Sequence, residues 1–149
     1  MPSFTILRVL DLLLEEVIEH ARATLPDECC GLLAGHIVDG VGVVAARFHI
    51  ENAAASPTEY ITDPRGLLSA FRLMREHGWE LLAVYHSHPT SEPVPSRRDI
   101  ERNTYDETAV HLIVGNVTTQ PDVRAWWLNE NDYRPALLEI ETPISPESP

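Results

Sequence analysis

Leu10, Leu13, Leu14, Val17, Ile18, Ala21 and Leu25 recur at i, i+3, i+4 and i+7, with Glu15, Glu16, Glu19 and Arg22 on the opposite side. That period predicts an amphipathic helix that stops near Pro26. The pattern then changes. Cys29–Val38 and Gly42–Ile50 read as two strands joined across Asp39-Gly40, a hairpin turn pair. Asp63-Pro64 opens a second helix, on which Leu67, Ala70, Phe71 and Met74 share a face and which Gly78 ends. Glu80–His88 carries the unbroken apolar run Leu81–Tyr85, the composition of a central strand buried on both faces. A proline-rich loop from Pro89 to Pro95 follows, then a short helix from Ser96. Ala109–Gly115, Val123–Leu128 and Ala136–Ile140 read as further strands. The sum is a mixed β-sheet flanked by helices, in the α+β or α/β class. No repeat or linker divides the chain, so one domain is expected over residues 1–140. Glu141–Pro149 reads as a disordered, acidic, proline-rich tail.

Composition narrows the function. The 149 residues suffice for one domain with a real core, and 44% of them are hydrophobic. Net charge is −12, and such a surface repels phosphate backbones and anionic membranes, which excludes nucleic acid and membrane as expected partners. No stretch has the apolar length of a membrane span, and the acidic N-terminal segment lacks the basic start and cleavage site of a signal peptide. The two cysteines, Cys29 and Cys30, are neighbours and poorly placed to pair, so a cytoplasmic location is expected. All 11 basic residues are arginine, a bias that a GC-rich genome or a high-salt cytoplasm would each produce.

The chemistry concentrates in His86-Ser87-His88-Pro89 and Ser96-Arg97-Arg98-Asp99. Residues i and i+2 of a strand point the same way, so His86 and His88 can offer two imidazoles to one point. Asp99 arrives from the first turn of the next helix, after a loop long enough to fold back. Two histidines and one carboxylate with an open fourth position make up a catalytic zinc site, whose bound water has its pKa lowered to roughly 7. Each piece has a plainer reading: an isolated His-x-His is usually structural, and Ser96-x-x-Asp99 before Ile100 is a helix capping box. With this chain's own frequencies, however, H-x-H-x7-S-x-x-D arises by chance roughly once in a thousand such chains. Capping and catalysis can also coexist.

HSHP, Ser96 and Asp99, with Glu28 in the upstream run Pro26–Gly35, resemble the JAMM motif of the JAB/MPN+ metallopeptidase superfamily. The amphipathic helix, Asn52 and the segment Tyr60–Pro64 extend the likeness to small prokaryotic members, over about residues 5 to 135. The resemblance implies a cytidine-deaminase-like MPN domain holding one Zn2+ per chain on His86, His88 and Asp99. It makes Glu28 the general base and proton donor, and Ser96 the hydrogen-bond donor to the oxyanion. It further implies a peptidase that cuts after the C-terminal Gly-Gly of a ubiquitin-fold sulfur-carrier protein, removing cysteine or a short extension. Three other readings stay open: an isopeptidase stripping modifiers from lysine, a zinc amidase on a small molecule, and a non-catalytic MPN scaffold. A homodimer is compatible with all of them.

Other residues have plainer roles. Ser87 should face away from the histidines and serve packing or hydrogen bonding. Cys30, beside Gly31, is a core filler before it is a ligand. His20, His36, His49, His77 and His111 lack a partner spacing and read as surface or satisfied core histidines. Trp126 and Trp127 alternate faces, so one of them packs inside, and the sequence gives no support to substrate stacking by the other.

Overall fold

The computed structural model describes residues 2–143. Eight strands form a single mixed sheet: β1 (Ile6–Leu10), β2 (Cys30–Val38), β3 (Val41–Ile50), β4 (Glu80–His88), β5 (Val110–Gly115), β6 (Asp122–Leu128), β7 (Tyr133–Pro135) and β8 (Leu137–Glu141). Three helices accompany them: α1 (Asp11–Thr24), α2 (Pro64–His77) and α3 (Arg97–Glu101). The strand order is β7-β6-β5-β4-β2-β3-β1-β8. The pairs β1–β3, β1–β8 and β4–β5 are parallel and the remainder antiparallel. This is the mixed α+β architecture that the hydrophobic pattern predicts.

The two sheet faces separate because neighbouring strand residues point opposite ways. Leu33, Tyr85, Leu112, Val114 and Trp127 pack with Leu14, Val17 and Ala21 of α1. On the other face Leu32, Ala34 and Val84 pack against Ala70 and Met74 of α2. A smaller cluster of Ile113, Trp126 and Leu128 lies beneath Val94 and Ile100, under the loop that leads into α3. Strand β4 is buried from Leu82 to His88 and has β2 and β5 as neighbours, so its C-terminal end is held on both sides. The helix α2 starts as expected: the Asp63 carboxylate accepts the Gly66 N–H at 2.9 Å, Pro64 sits in the first turn, and Gly78 closes the helix at φ 68°.

Three expectations change. β1 was not foreseen. Its alternating Leu7 and Val9 are buried, but it runs into α1 at Leu10 without a side-chain cap. β7 is three exposed residues, defined only by pairing with β6. The expected tail begins too early, because Glu141 belongs to β8 and pairs with Leu10. Residues 144–149 lie outside the described ones. Among the described residues no helix is long and apolar enough to cross a membrane.

Candidate metal centre and catalytic site

His86 and His88 leave the end of β4 on the α2 side of the sheet, both buried. Asp99 meets them from α3. Its Oδ2 lies 3.2 Å from His86 Nε2 and 3.2 Å from His88 Nε2, and the two nitrogens are 3.2 Å apart. The three ligand atoms thus form a nearly equilateral triangle. Donors bound tetrahedrally at zinc distances are separated by about 3.3 Å, so the triangle fits such an ion. Among the described residues, these three are the group whose donor atoms converge.

Protonation supports the same reading. His88 Nδ1 lies 2.8 Å from the Glu92 carbonyl, which can only accept, so Nδ1 carries the proton. In the neutral ring, Nε2 then aims a lone pair at the Asp99 carboxylate and at His86 Nε2. A cation relieves that convergence, and a backbone carbonyl on the far nitrogen is the usual second partner of a metal-bound histidine. Without a metal, the same convergence favours a proton on His88. Burial by itself would lower the His88 pKa, but Asp99 and the Glu92 carbonyl outweigh it and raise it. Burial would likewise raise Asp99, yet His86, His88 and the Ser96 N–H hold it well below the usual carboxylate range. His86 Nδ1 has no hydrogen-bond partner among the described residues, and its ring instead stacks on Tyr60, with centroids 4.6 Å apart.

Asp99 is held by the turn that delivers it. Ser96 N–H donates to Asp99 Oδ2 at 2.8 Å, and Ser96 Oγ accepts the Asp99 N–H at 3.1 Å. The capping box is therefore real, and one carboxylate oxygen serves both the cap and the triangle. The Ser96 hydroxyl is exposed, and its own proton is not used by the cap.

Glu28 precedes β2 and is only 5% exposed. Its Oε1 is buried with no partner among the described residues, and burial raises its pKa to about 8, against the pull of His88. The backbone around it is tied on several sides. Its N–H donates to Ser56 O, its carbonyl accepts Asn52 Nδ2 at 3.0 Å, and the next N–H, of Cys29, donates to Ser87 Oγ at 2.8 Å. Ser87 also donates its own N–H to the Cys29 carbonyl. It faces away from the histidines, as strand alternation requires, and couples the Glu28 segment to the His86–His88 strand.

The loop between His88 and Ser96 is stitched to β5 and β6. Asn116 N–H donates to Ser91 O, and Trp126 Nε1–H donates to Pro93 O at 2.8 Å. Trp126 and Trp127 are both buried, Trp127 against Phe4 on the opposite face, so neither is placed to stack on a substrate. At the end of β5, a Cβ on Gly115 would lie 2.3 Å from Pro93 N and 2.7 Å from the Glu92 carbonyl carbon. Gly115→Ala must displace the loop that carries the acceptor of His88 Nδ1. The expected outcome is a loss of about 1–3 kcal/mol in urea unfolding, together with weaker metal binding. If both quantities matched wild type, this account of the loop would be wrong.

Cys30 pairs directly across from His86 but donates its thiol to Ile50 O at 3.4 Å. Burial pushes that thiol up to about 12, so it stays protonated and fills the core. His111 is not a satisfied core histidine. It is buried, with Nε2 at 3.0 Å from Asn103 Oδ1 and Nδ1 unpartnered. Asn52, Tyr60 and Trp126 support the site in ways that no local spacing in the sequence reveals, because their partners lie far away in the chain.

Similarity to known proteins agrees with this geometry. Residues 11–129 match the family described as prokaryotic homologs of the JAB domain. The chain is 36% identical over 102 residues to the CysO-cysteine peptidase of Mycobacterium tuberculosis, covering 68% of this chain and 67% of that protein. It is 36% identical over 96 residues to a desampylase of Haloferax volcanii, covering 64% and 68%. Over 90 residues it is 40% identical to a probable TtuB-protein conjugate cleaving protease of Thermus thermophilus, covering 60% and 57%. A solution structure from Desulfitobacterium hafniense superposes with a TM-score of 0.82 at 27% identity, over 95% of this chain and 97% of that one. With its matched residues running from α1 through β6, the chain belongs to the prokaryotic JAB-domain family.

Proposed function

We propose that this chain is a metal-dependent peptidase that hydrolyses the amide bond after the C-terminal Gly-Gly of a ubiquitin-fold sulfur-carrier protein, releasing cysteine or a short extension. The observation that carries the reading is the triangle of two imidazole nitrogens and one carboxylate oxygen, with the buried Glu28 carboxyl close enough to feel the charges of His88 and Asp99. His86, His88 and Asp99 would hold a zinc ion, which supplies Lewis acidity and acidifies a water. Glu28 takes a proton as the water oxygen bonds to the scissile carbonyl carbon. It returns that proton to the nitrogen as the C–N bond breaks, so the products are a glycine carboxylate and a free amine. A carboxyl raised towards neutrality is suited to both halves of that transfer. The exposed Ser96 hydroxyl donates to the oxygen that gains charge.

Relatives named for a CysO-cysteine substrate, for desampylation and for TtuB conjugates support a ubiquitin-fold partner. The latter two also favour a second reading, release of modifiers from lysine by the same chemistry with a different amine. The test is intact-mass analysis of a Gly-Gly carrier extended by cysteine, incubated with zinc-loaded protein. Loss of the extension is expected, and it should cease with a chelator and fall when the tail glycines become alanine. Cleavage indifferent to those alanines, or no cleavage of a panel of such carriers, would sink the proposal. Activity on a lysine-linked substrate alone would favour the second reading.

A further inference from the structure

We propose that Arg98 and Arg102 form a subsite for the free α-carboxylate of the amino acid that cleavage releases, an inference that rests on the peptidase reading above. A cavity of about 250 Å³ adjoins the metal triangle. Asp99 and Tyr60, the ring stacked on His86, line it together with Tyr105, and Glu59, Arg98 and Arg102 lie in the same wall. Both guanidiniums share one carboxylate. Arg98 Nη1 is 3.3 Å from Glu59 Oε2, and Arg102 Nη1 is 3.1 Å from Glu59 Oε1. Arg98 Nη1 also donates to the Thr58 carbonyl at 3.2 Å.

Of the two carboxylates in the wall, Glu59 alone pairs with the arginines, while Asp99 is engaged by His86, His88 and the Ser96 N–H, so two guanidiniums share one carboxylate on a chain whose net charge is −12. The side chains are 47% and 49% exposed, and their remaining guanidinium nitrogens have no protein acceptor among the described residues. That is an anion site held half open, with planar donor groups suited to a carboxylate.

The anion it fits follows from which side of the scissile bond carries a charge. On the acyl side of the scissile bond, two glycines carry neither charge nor side chain and cannot fill the cavity. On the amine side, a released C-terminal amino acid carries its carboxylate one carbon beyond the nitrogen's own Cα. A lysine side chain carries no charge there once it is acylated. The subsite therefore selects end-processing over deconjugation.

Two forms of one carrier, ending Gly-Gly-Ala as the free acid and as the carboxamide, test this with the zinc-loaded full chain. Wild type is expected to favour the acid by about tenfold in kcat/KM. Arg102→Met and the Arg98→Met/Arg102→Met pair should bring that ratio within about twofold, chiefly through KM. Glu59→Gln, which removes the competing carboxylate, should raise it. Equal cleavage of both forms by wild type, or a ratio untouched in the arginine variants, overturns the subsite while leaving the peptidase reading standing. Cleavage of neither form by wild type overturns both.

Discussion

Glu28→Gln is expected to reduce turnover by about 10²–10⁴-fold while leaving the metal content of the protein unchanged. Glutamine matches the shape of a protonated glutamate but cannot accept the proton that hydrolysis must move. Because Glu28 lies outside the converging triangle, the loss should appear in kcat with metal stoichiometry intact. A variant that lost its metal in parallel with its activity would make Glu28 a ligand, or a support for one. The same substitution has a second, independent readout. Burial raises the folded-state pKa from the ordinary value of 4.5 to about 8, so between those pH values the folded protein binds more protons than the unfolded chain. The contribution of Glu28 to the stability of the metal-free protein must then fall as pH rises through that window. Glu28→Gln removes the fall, so metal-free variant and wild type should diverge from about pH 5 to pH 8, with the variant the more stable. Parallel urea-unfolding curves across that range would contradict the burial argument. The group that would carry the reaction is one the fold holds at a cost.

Asp99→Asn is expected to cost more than 100-fold in metal affinity and to bring activity to background. Removing partners that merely orient a ligand costs about 10–100-fold, so removing the charged ligand itself must cost more. Asparagine keeps an oxygen that can accept the Ser96 N–H, so the turn survives while the charge is lost. Elemental analysis after gel filtration gives the metal count, and circular dichroism confirms the fold. Full retention of one ion per chain would remove Asp99 from the centre and leave its convergence with the histidines as an ion pair.

Most of the architecture was legible because periodicity and turn chemistry agree with the final packing. The hairpin at Asp39-Gly40, the Asp63 cap and the buried run of β4 are local signals, and they survive intact. What failed has a physical reason. β1 feeds α1 with no break in the apolar pattern and no capping side chain, so the leucines of strand and helix merge into one stretch. β7 has no buried residue to leave a pattern, and only its partner makes it a strand. The convergence of His86, His88 and Asp99 was readable from i, i+2 geometry and a capped turn. Glu28 was not, since its burial comes from tertiary packing, and only the family resemblance singled it out. That Trp126 and Trp127 are both buried was not legible either, because the partner of Trp126, the Pro93 carbonyl, is brought near only by the folded loop.

The proposed centre joins two parts of the molecule that differ in how readily they open. His86 and His88 belong to β4, buried and flanked on both sides, so their backbone is released only when the sheet itself comes apart. Asp99 sits in a five-residue helix with no buried residue, at the end of a loop fastened by a few hydrogen bonds. Amide hydrogen exchange should accordingly be slow along β4 and fast across residues 96–102. Opening confined to residues 96–102 would part the Asp99 carboxylate from two imidazoles that stay in place, so the proposed centre would come apart at a lower free energy than the sheet that carries its other half.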